Sequence, residues 1–171
     1  LEQNSAFGYM ANAFGVGSTS LGSSSEASGP LTTAIGGSAT ASGSFSTAVG
    51  QNARAIASDT TALGVNADAS GLSSTALGTG SNAIGESSTA LGQNAISEGQ
   101  LSTALGQGSF ANNSATALGQ AANAFADQST ALGQGSVASG LSSTALGVGS
   151  NAQGESSFAA VNATSVGDFS I

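Results

Sequence analysis

The chain has 171 residues, with one basic residue, nine acidic residues and no His or Cys, and its formal net charge is −8. Nucleic acid and anionic membrane surfaces are excluded as partners, because binding to them requires clustered Lys and Arg. The missing Cys and His exclude disulfide scaffolds, thiol and imidazole catalysis and the usual zinc sites.

A tetrapeptide of the type Thr-Ala-Leu-Gly recurs along the whole chain. Successive copies are about 14 residues apart, with one step of about 13. The third residue of each copy is a large apolar one: Phe7, Leu21, Ile35, Val49, Leu63, Leu77, Leu91, Leu105, Leu118, Leu132 and Leu146. The shorter step lies between Leu105 and Leu118. A strict period of this length indicates a repeat architecture rather than disorder.

Each repeat predicts two short strands and two tight turns. The Thr-Ala-Leu segment is the first strand. A small-x-small segment such as Ala53 to Ala55 follows as the second. Gly after each segment supplies the positive φ that a sharp bend requires. The alternation has period 2, whereas a helix would place apolar residues at i+3, i+4 and i+7.

Such coils bury apolar surface only when they stack, each strand pairing in parallel with its equivalent about 4.8 Å away. The sequence therefore predicts an all-β fold, a parallel β-roll (β-solenoid) of about 12 coils of about 14 residues. About 12 coils give a rod of about 55–60 Å. We expect residues 1–171 to form one domain, excised from a longer protein.

The first strand carries an almost unvaried small residue between its Thr and its Leu. We expect Thr and Leu to point into the coil and this residue to point outward. An outward stripe of small residues predicts close packing against identical chains, in a number that the stripe does not fix. The predicted interface residues are Ala34, Ala48, Ala62, Ala76, Ala90, Ala104, Ala117, Ala131 and Ala145. The outward positions of the second strand vary, so we expect that face to be mostly free.

Apolar residues occupy this variable face in four consecutive coils. Ile96 and Phe110 lie in neighbouring coils, and Phe125 and Val137 lie in the next two. An exposed apolar patch of this kind favours a ligand-binding site. Packing at the subunit interface explains the same residues equally well, and the sequence leaves both interpretations open.

We expect no enzymatic activity, no metal and no cofactor. The Ser and Thr residues lack a His or Lys to activate them, and the carboxylates are spread along the rod. The alternatives to a binding role are a structural spacer that binds nothing and an ice-binding β-solenoid. Ice binding requires a Thr row that faces water, whereas Thr shares its predicted inward face with Leu.

The repeat resembles a known family. Units such as Gly85 to Ala95, Gly-Glu-Ser-Ser-Thr-Ala-Leu-Gly-Gln-Asn-Ala, are similar to the head repeats of the trimeric autotransporter adhesins of the Yersinia adhesin type. The resemblance implies a left-handed roll, a homotrimer and display at the bacterial cell surface from the outer membrane. It also implies a cell-adhesion and virulence function, through attachment to host extracellular matrix or host cell surfaces. We expect the head alone, without stalk, membrane anchor or direct membrane contact, because no neck, heptad or barrel motif is found.

Contacts made by this surface are expected to be weak within each coil. Repetition along the rod and across the subunits then produces affinity through avidity. The expected ligand is itself long and repetitive, such as a collagen-like or fibrillar matrix protein, a suggestion that rests mainly on the resemblance.

Overall fold

A computed structural model describes residues 3–170, which form 24 strands and no helix, in two parallel sheets of twelve strands. Sheet A contains the first strand of every coil: β1 (Ser5–Phe7), β3 (Thr19–Leu21), β5 (Thr33–Ile35), β7 (Thr47–Val49), β9 (Thr61–Leu63), β11 (Thr75–Leu77), β13 (Thr89–Leu91), β15 (Thr103–Leu105), β17 (Thr116–Leu118), β19 (Thr130–Leu132), β21 (Thr144–Leu146) and β23 (Phe158–Ala159). Sheet B contains the second strands: β2 (Asn12–Ala13), β4 (Glu26–Ala27), β6 (Thr40–Ala41), β8 (Arg54–Ala55), β10 (Asp68–Ala69), β12 (Asn82–Ala83), β14 (Ile96–Ser97), β16 (Phe110–Ala111), β18 (Asn123–Ala124), β20 (Val137–Ala138), β22 (Asn151–Ala152) and β24 (Thr164–Ser165). The predicted all-β solenoid of about 12 coils is confirmed.

Each strand pairs with its equivalent in the next coil, so identical slots of the repeat stack into rows. Thr89 lies beside Thr103 and Leu91 beside Leu105 in sheet A. The backbone hydrogen bonds join one coil to the next, as in the 2.8 Å bond from Gly92 N to Leu77 O. They therefore run along the long axis of the roll.

The shorter repeat does not break the sheets. Thr103 still pairs with Thr116 in sheet A, and Phe110 still pairs with Asn123 in sheet B. The residue is lost from the corner between β16 and β17, where Ser114 adopts a φ of 51°. One shortened corner thus absorbs the difference, and both registers continue unchanged.

Both corners of a coil are tight turns of the same kind. After β9, Ala67 N donates to Gly64 O at 3.3 Å, and Asn66 has a φ of 56°. After β10, Ser74 N donates to Gly71 O at 3.1 Å, and Ser73 has a φ of 56°. An i to i+3 hydrogen bond with positive φ at the third residue is the pattern of a type II turn, which favours Gly or Asn there.

The interior contains only small side chains, and the predicted orientation of sheet A is wrong. The Ala between Thr and Leu points inward and is fully buried within a single chain. The residues predicted as a subunit interface are all core residues: Ala34, Ala48, Ala62, Ala76, Ala90, Ala104, Ala117, Ala131 and Ala145. Thr and Leu point outward and are at most partly covered.

The reversal follows from the width of the coil. A coil encloses about four side chains, two from each sheet, such as Thr60 and Ala62 facing Ala67 and Ala69, all buried. The largest fully buried side chains of residues 3–170 are Thr32 and Thr60. No space remains for Leu, so the row of small residues is the interior itself. The unvaried Ala stripe reflects close packing between the two sheets of one chain.

Buried hydroxyl groups close the corners from inside. Ser81 Oγ donates to Gly78 O at 2.9 Å, and Ser109 Oγ donates to Gly106 O at the same distance. Thr60 Oγ1 makes the equivalent bond to Ala57 O at 2.7 Å. A buried polar group is tolerated when it is hydrogen-bonded, which explains these three residues. Other buried hydroxyls have no partner among the described residues, namely those of Ser18, Ser46, Ser74, Ser88 and Ser157.

We predict that two glycines of one corner differ sharply in their tolerance of a side chain. A Cβ at Gly133 lies 2.6 Å from Gly147 O, whereas a Cβ at Gly135 meets nothing within 4 Å. Ala121 occupies the Gly135 slot one coil earlier, with a φ of 54°. Gly133→Ala should therefore lower the free energy of unfolding by several kcal/mol, and Gly135→Ala by about 1 kcal/mol. Thermal unfolding followed by circular dichroism checks this; equal effects would contradict the close approach of coils.

Candidate functional site

The outer side of sheet A is an apolar face without a partner in this chain. We call it the Thr/Leu face, because its two outward rows are the Thr row and the Leu row of the repeat. None of the large apolar residues in the second row is buried in a single chain: Phe7, Leu21, Ile35, Val49, Leu63, Leu77, Leu91, Leu105, Leu118, Leu132 and Leu146. These eleven residues form an unbroken row about 50 Å long at the spacing of parallel strands.

Such a row is unusual on a protein that acts alone. Leu21 is 42% exposed and Leu146 is 41% exposed, near opposite ends of the same row. Monomeric soluble proteins seldom expose a continuous apolar patch of more than a few hundred Å², and larger ones mark interaction sites. The sequence signal for this face is the Leu row itself, although the sequence predicts an inward orientation for it.

The outer side of sheet B carries the four predicted patch residues. Ile96 and Phe110 pair directly in neighbouring strands, and Val137 lies further along the same row. Phe125 lies in the adjacent outward row, and its ring centroid is 5.3 Å from that of Phe110. The structure thus brings the predicted residues onto one face, opposite to the Thr/Leu face.

Sequence reasoning left out one member of this patch. Ile84 is 43% exposed and lies one coil before Ile96, in the row that also contains Phe125. We call the set Ile84, Ile96, Phe110, Phe125 and Val137 the sheet B strip. It takes one apolar residue from each of five consecutive coils, and its length is therefore about 19 Å.

A hydrogen bond fixes the backbone beneath the strip. Asn112 Nδ2 donates to Phe125 O at 2.9 Å, across two neighbouring coils. Asn112 lies beside the shortened corner, so the deletion is next to the strip. The strands that carry the strip nevertheless remain in register, with Phe110 paired to Asn123.

The surroundings of the sheet B strip are acidic. Glu98 is exposed on the same face, and Glu86 and Asp127 are exposed at the adjoining corner. Gln100 Nε2 donates to Glu86 Oε2 at 3.1 Å. The single Arg of the sequence is Arg54, which lies outside the strip, and its Nη1 is 2.8 Å from an Asp68 carboxylate oxygen.

The surface offers contacts rather than a pocket. Residues 3–170 enclose no detectable cavity, and within that range no three His, Cys, Asp or Glu residues come together as a metal site. The same range contains no helix long and apolar enough to cross a membrane.

The family model described as the YadA head domain repeat, which consists of two copies, matches almost the whole chain. Its six matches cover residues 5–25, 27–53, 55–81, 83–109, 112–136 and 138–170, so most of them span two coils. No curated protein sequence matches the chain significantly. The chain therefore belongs to the YadA head repeat family, the head domains of trimeric autotransporter adhesins.

Proposed function

We propose that residues 1–171 are a single adhesin head that attaches a bacterium to host extracellular matrix or host cells. The family suggests an adhesin-like function and display at the cell surface. The family is in general non-enzymatic, and we extend this to the present head. Its outer-membrane anchorage and left-handed coiling are further parts of the proposal.

The observation that carries the proposal is the Thr/Leu face. An unbroken row of eleven partly exposed apolar residues favours burial against another protein surface. The family typically assembles as trimers. We propose a homotrimer in which three Thr/Leu faces meet around a common axis. The Thr/Leu face thus replaces the predicted Ala interface, because all nine Ala residues of that interface are buried inside a single chain.

Assembly leaves the outer side of sheet B available for ligands. Sheet B lies on the opposite side of each roll from the Thr/Leu face, so three copies of it point away from the axis. Binding of one long partner at several copies raises apparent affinity without any new contact. A fibrillar or collagen-like matrix protein meets this requirement.

We predict that beads coated with the assembled head adhere to fibrillar collagen more strongly than to albumin. Detachment of the beads under flow measures this difference. In solution, dissociated heads should bind the same collagen at least about tenfold more weakly than assembled heads, because the avidity of linked copies is lost; surface plasmon resonance measures the two affinities. Equal adhesion to both coatings would contradict the adhesin role and favour a spacer.

A second candidate function rests on the Thr row. The predicted inward orientation of Thr is wrong, since Thr75 and Thr89 face outward and are only partly covered. A regular outward Thr row is the feature that an ice-binding solenoid needs. Thermal hysteresis of the purified head tests this candidate; the proposed trimer covers the row and predicts none.

A further inference from the structure

We propose that the sheet B strip is a docking site for a cationic amphipathic helix. The proposal deepens the adhesin role and rests on it, since it names the chemistry of one partner. The strip joins half-buried Ile96, Phe110 and Val137 to the more exposed Ile84 and Phe125.

The aromatic pair supplies the anchor. The rings of Phe110 and Phe125 lie 5.3 Å apart, and Phe125 is 47% exposed. Adjacent coils carry Asn123 and Ser139 in the same two slots, so the fold does not require aromatic residues there. Large aromatic residues clustered at the centre of a contact area typically dominate its binding energy.

Charge selects the partner. Glu98 lies on the face of the strip, and Glu86 and Asp127 lie at its edge, all exposed. A second copy of this chain is disfavoured there, because it brings the same carboxylates against them and its one Arg is paired. A partner with both apolar and basic side chains is complementary to this surface, because its apolar side chains contact the strip and its basic ones face the carboxylates.

The spacing of the coils favours a helix over an extended strand. Parallel coils follow each other every ~4.8 Å, and a helix presents apolar residues every ~5.4 Å along its axis. Side chains on one face of an extended strand recur every ~6.6 Å. The strip of about 19 Å matches about 13 helical residues.

Titration with designed peptides tests the proposal. The probe is a 14-residue peptide of Leu and Lys with every Leu on one helical face. Two controls are a scrambled peptide of the same composition and a version with Glu in place of Lys. The head has no helix among its described residues, so helical circular dichroism gained on mixing reports the bound peptide.

The matched variants use residues that the repeat already contains. Phe110→Asn with Phe125→Ser should weaken binding at least tenfold. Phe45→Ser removes an exposed aromatic residue three coils away, in a slot that holds Ser73 and Ser87, and should change nothing. Glu98→Gln, the residue found at 153, should weaken binding several-fold and reduce its dependence on salt.

Several results overturn the proposal: equal binding of the scrambled or Glu peptide, or undiminished binding by the Phe110 and Phe125 variant. The outcome is separable from that of the proposed function. A head that adheres to collagen but does not bind the Leu/Lys peptide overturns the strip assignment alone. A head that binds the peptide at the strip without adhering overturns the adhesin role alone.

Discussion

The Leu91→Glu and Leu105→Glu double variant should fall apart into folded monomers. Both side chains lie on the Thr/Leu face, in paired strands and only partly covered by their own chain. Completing the burial of one such Leu contributes about 1–2 kcal/mol, so six of them in the proposed trimer contribute roughly 6–12 kcal/mol. Six carboxylates near a common axis also repel one another and lose hydration.

Sedimentation velocity measures the expected change from a trimer to a monomer, and circular dichroism should retain the β signal. The matched control is Ser42→Glu with Ser139→Glu, on the outer side of sheet B, where Glu98 occupies the same row. This control adds the same charge and should keep the wild-type mass. Dissociation of the control, or an intact Leu variant, would place the interface elsewhere.

Ala104→Leu should destabilise the roll itself rather than its assembly. Ala104 is fully buried and pairs with Ala90 and Ala117 in the neighbouring coils. Overpacking usually costs about 1–3 kcal/mol in cores that can relax. We expect more than about 3 kcal/mol here, because the facing residues are small and their backbones already pack closely.

The sequence contains its own control for this substitution. Ser20 occupies the slot of Ala104 in an earlier coil, where its Oγ lies 2.7 Å from that of Ser25. Ser109 lies five residues after position 104, as Ser25 lies five residues after Ser20, so a Ser at position 104 has the same hydroxyl partner. Ala104→Ser should therefore lower the free energy of unfolding by less than about 1 kcal/mol. Melting temperatures of the two variants distinguish them; equal losses would mean that volume is not what limits this core.

The repeat predicted most of the fold because register follows from period. Once Thr75, Thr89 and Thr103 occupy equivalent slots, parallel pairing of equivalents is the simplest arrangement that satisfies every backbone group, and the structure has it. The variable outward rows of sheet B and the apolar patch at Ile96 and Phe110 also followed from the pattern, since exposed slots tolerate variation.

The orientation of sheet A could not be predicted from the repeat, because hydrophobicity favours Leu in the interior whereas the available volume favours Ala. Leu91 is more apolar than Ala90, which favours Leu for the interior. The coil is too narrow for Leu. Ser88 and Ala90 are two residues apart and both small, and this pair of small residues is the sequence signal for the inward face. Alternation by two residues fixes which side chains share a face, whereas the spacing between sheets decides which face is inside.

The axial direction of the hydrogen bonds has a mechanical consequence for a head held at one end and attached at the other. Tension along the rod pulls directly on the bonds between neighbouring coils, such as the one from Gly92 N to Leu77 O, and therefore separates coils one at a time. A released coil of about 14 residues extends to at most about 50 Å, roughly ten times its folded rise. Each separation lengthens the tether and lowers the force on the remaining contacts, so the rod would yield gradually under load.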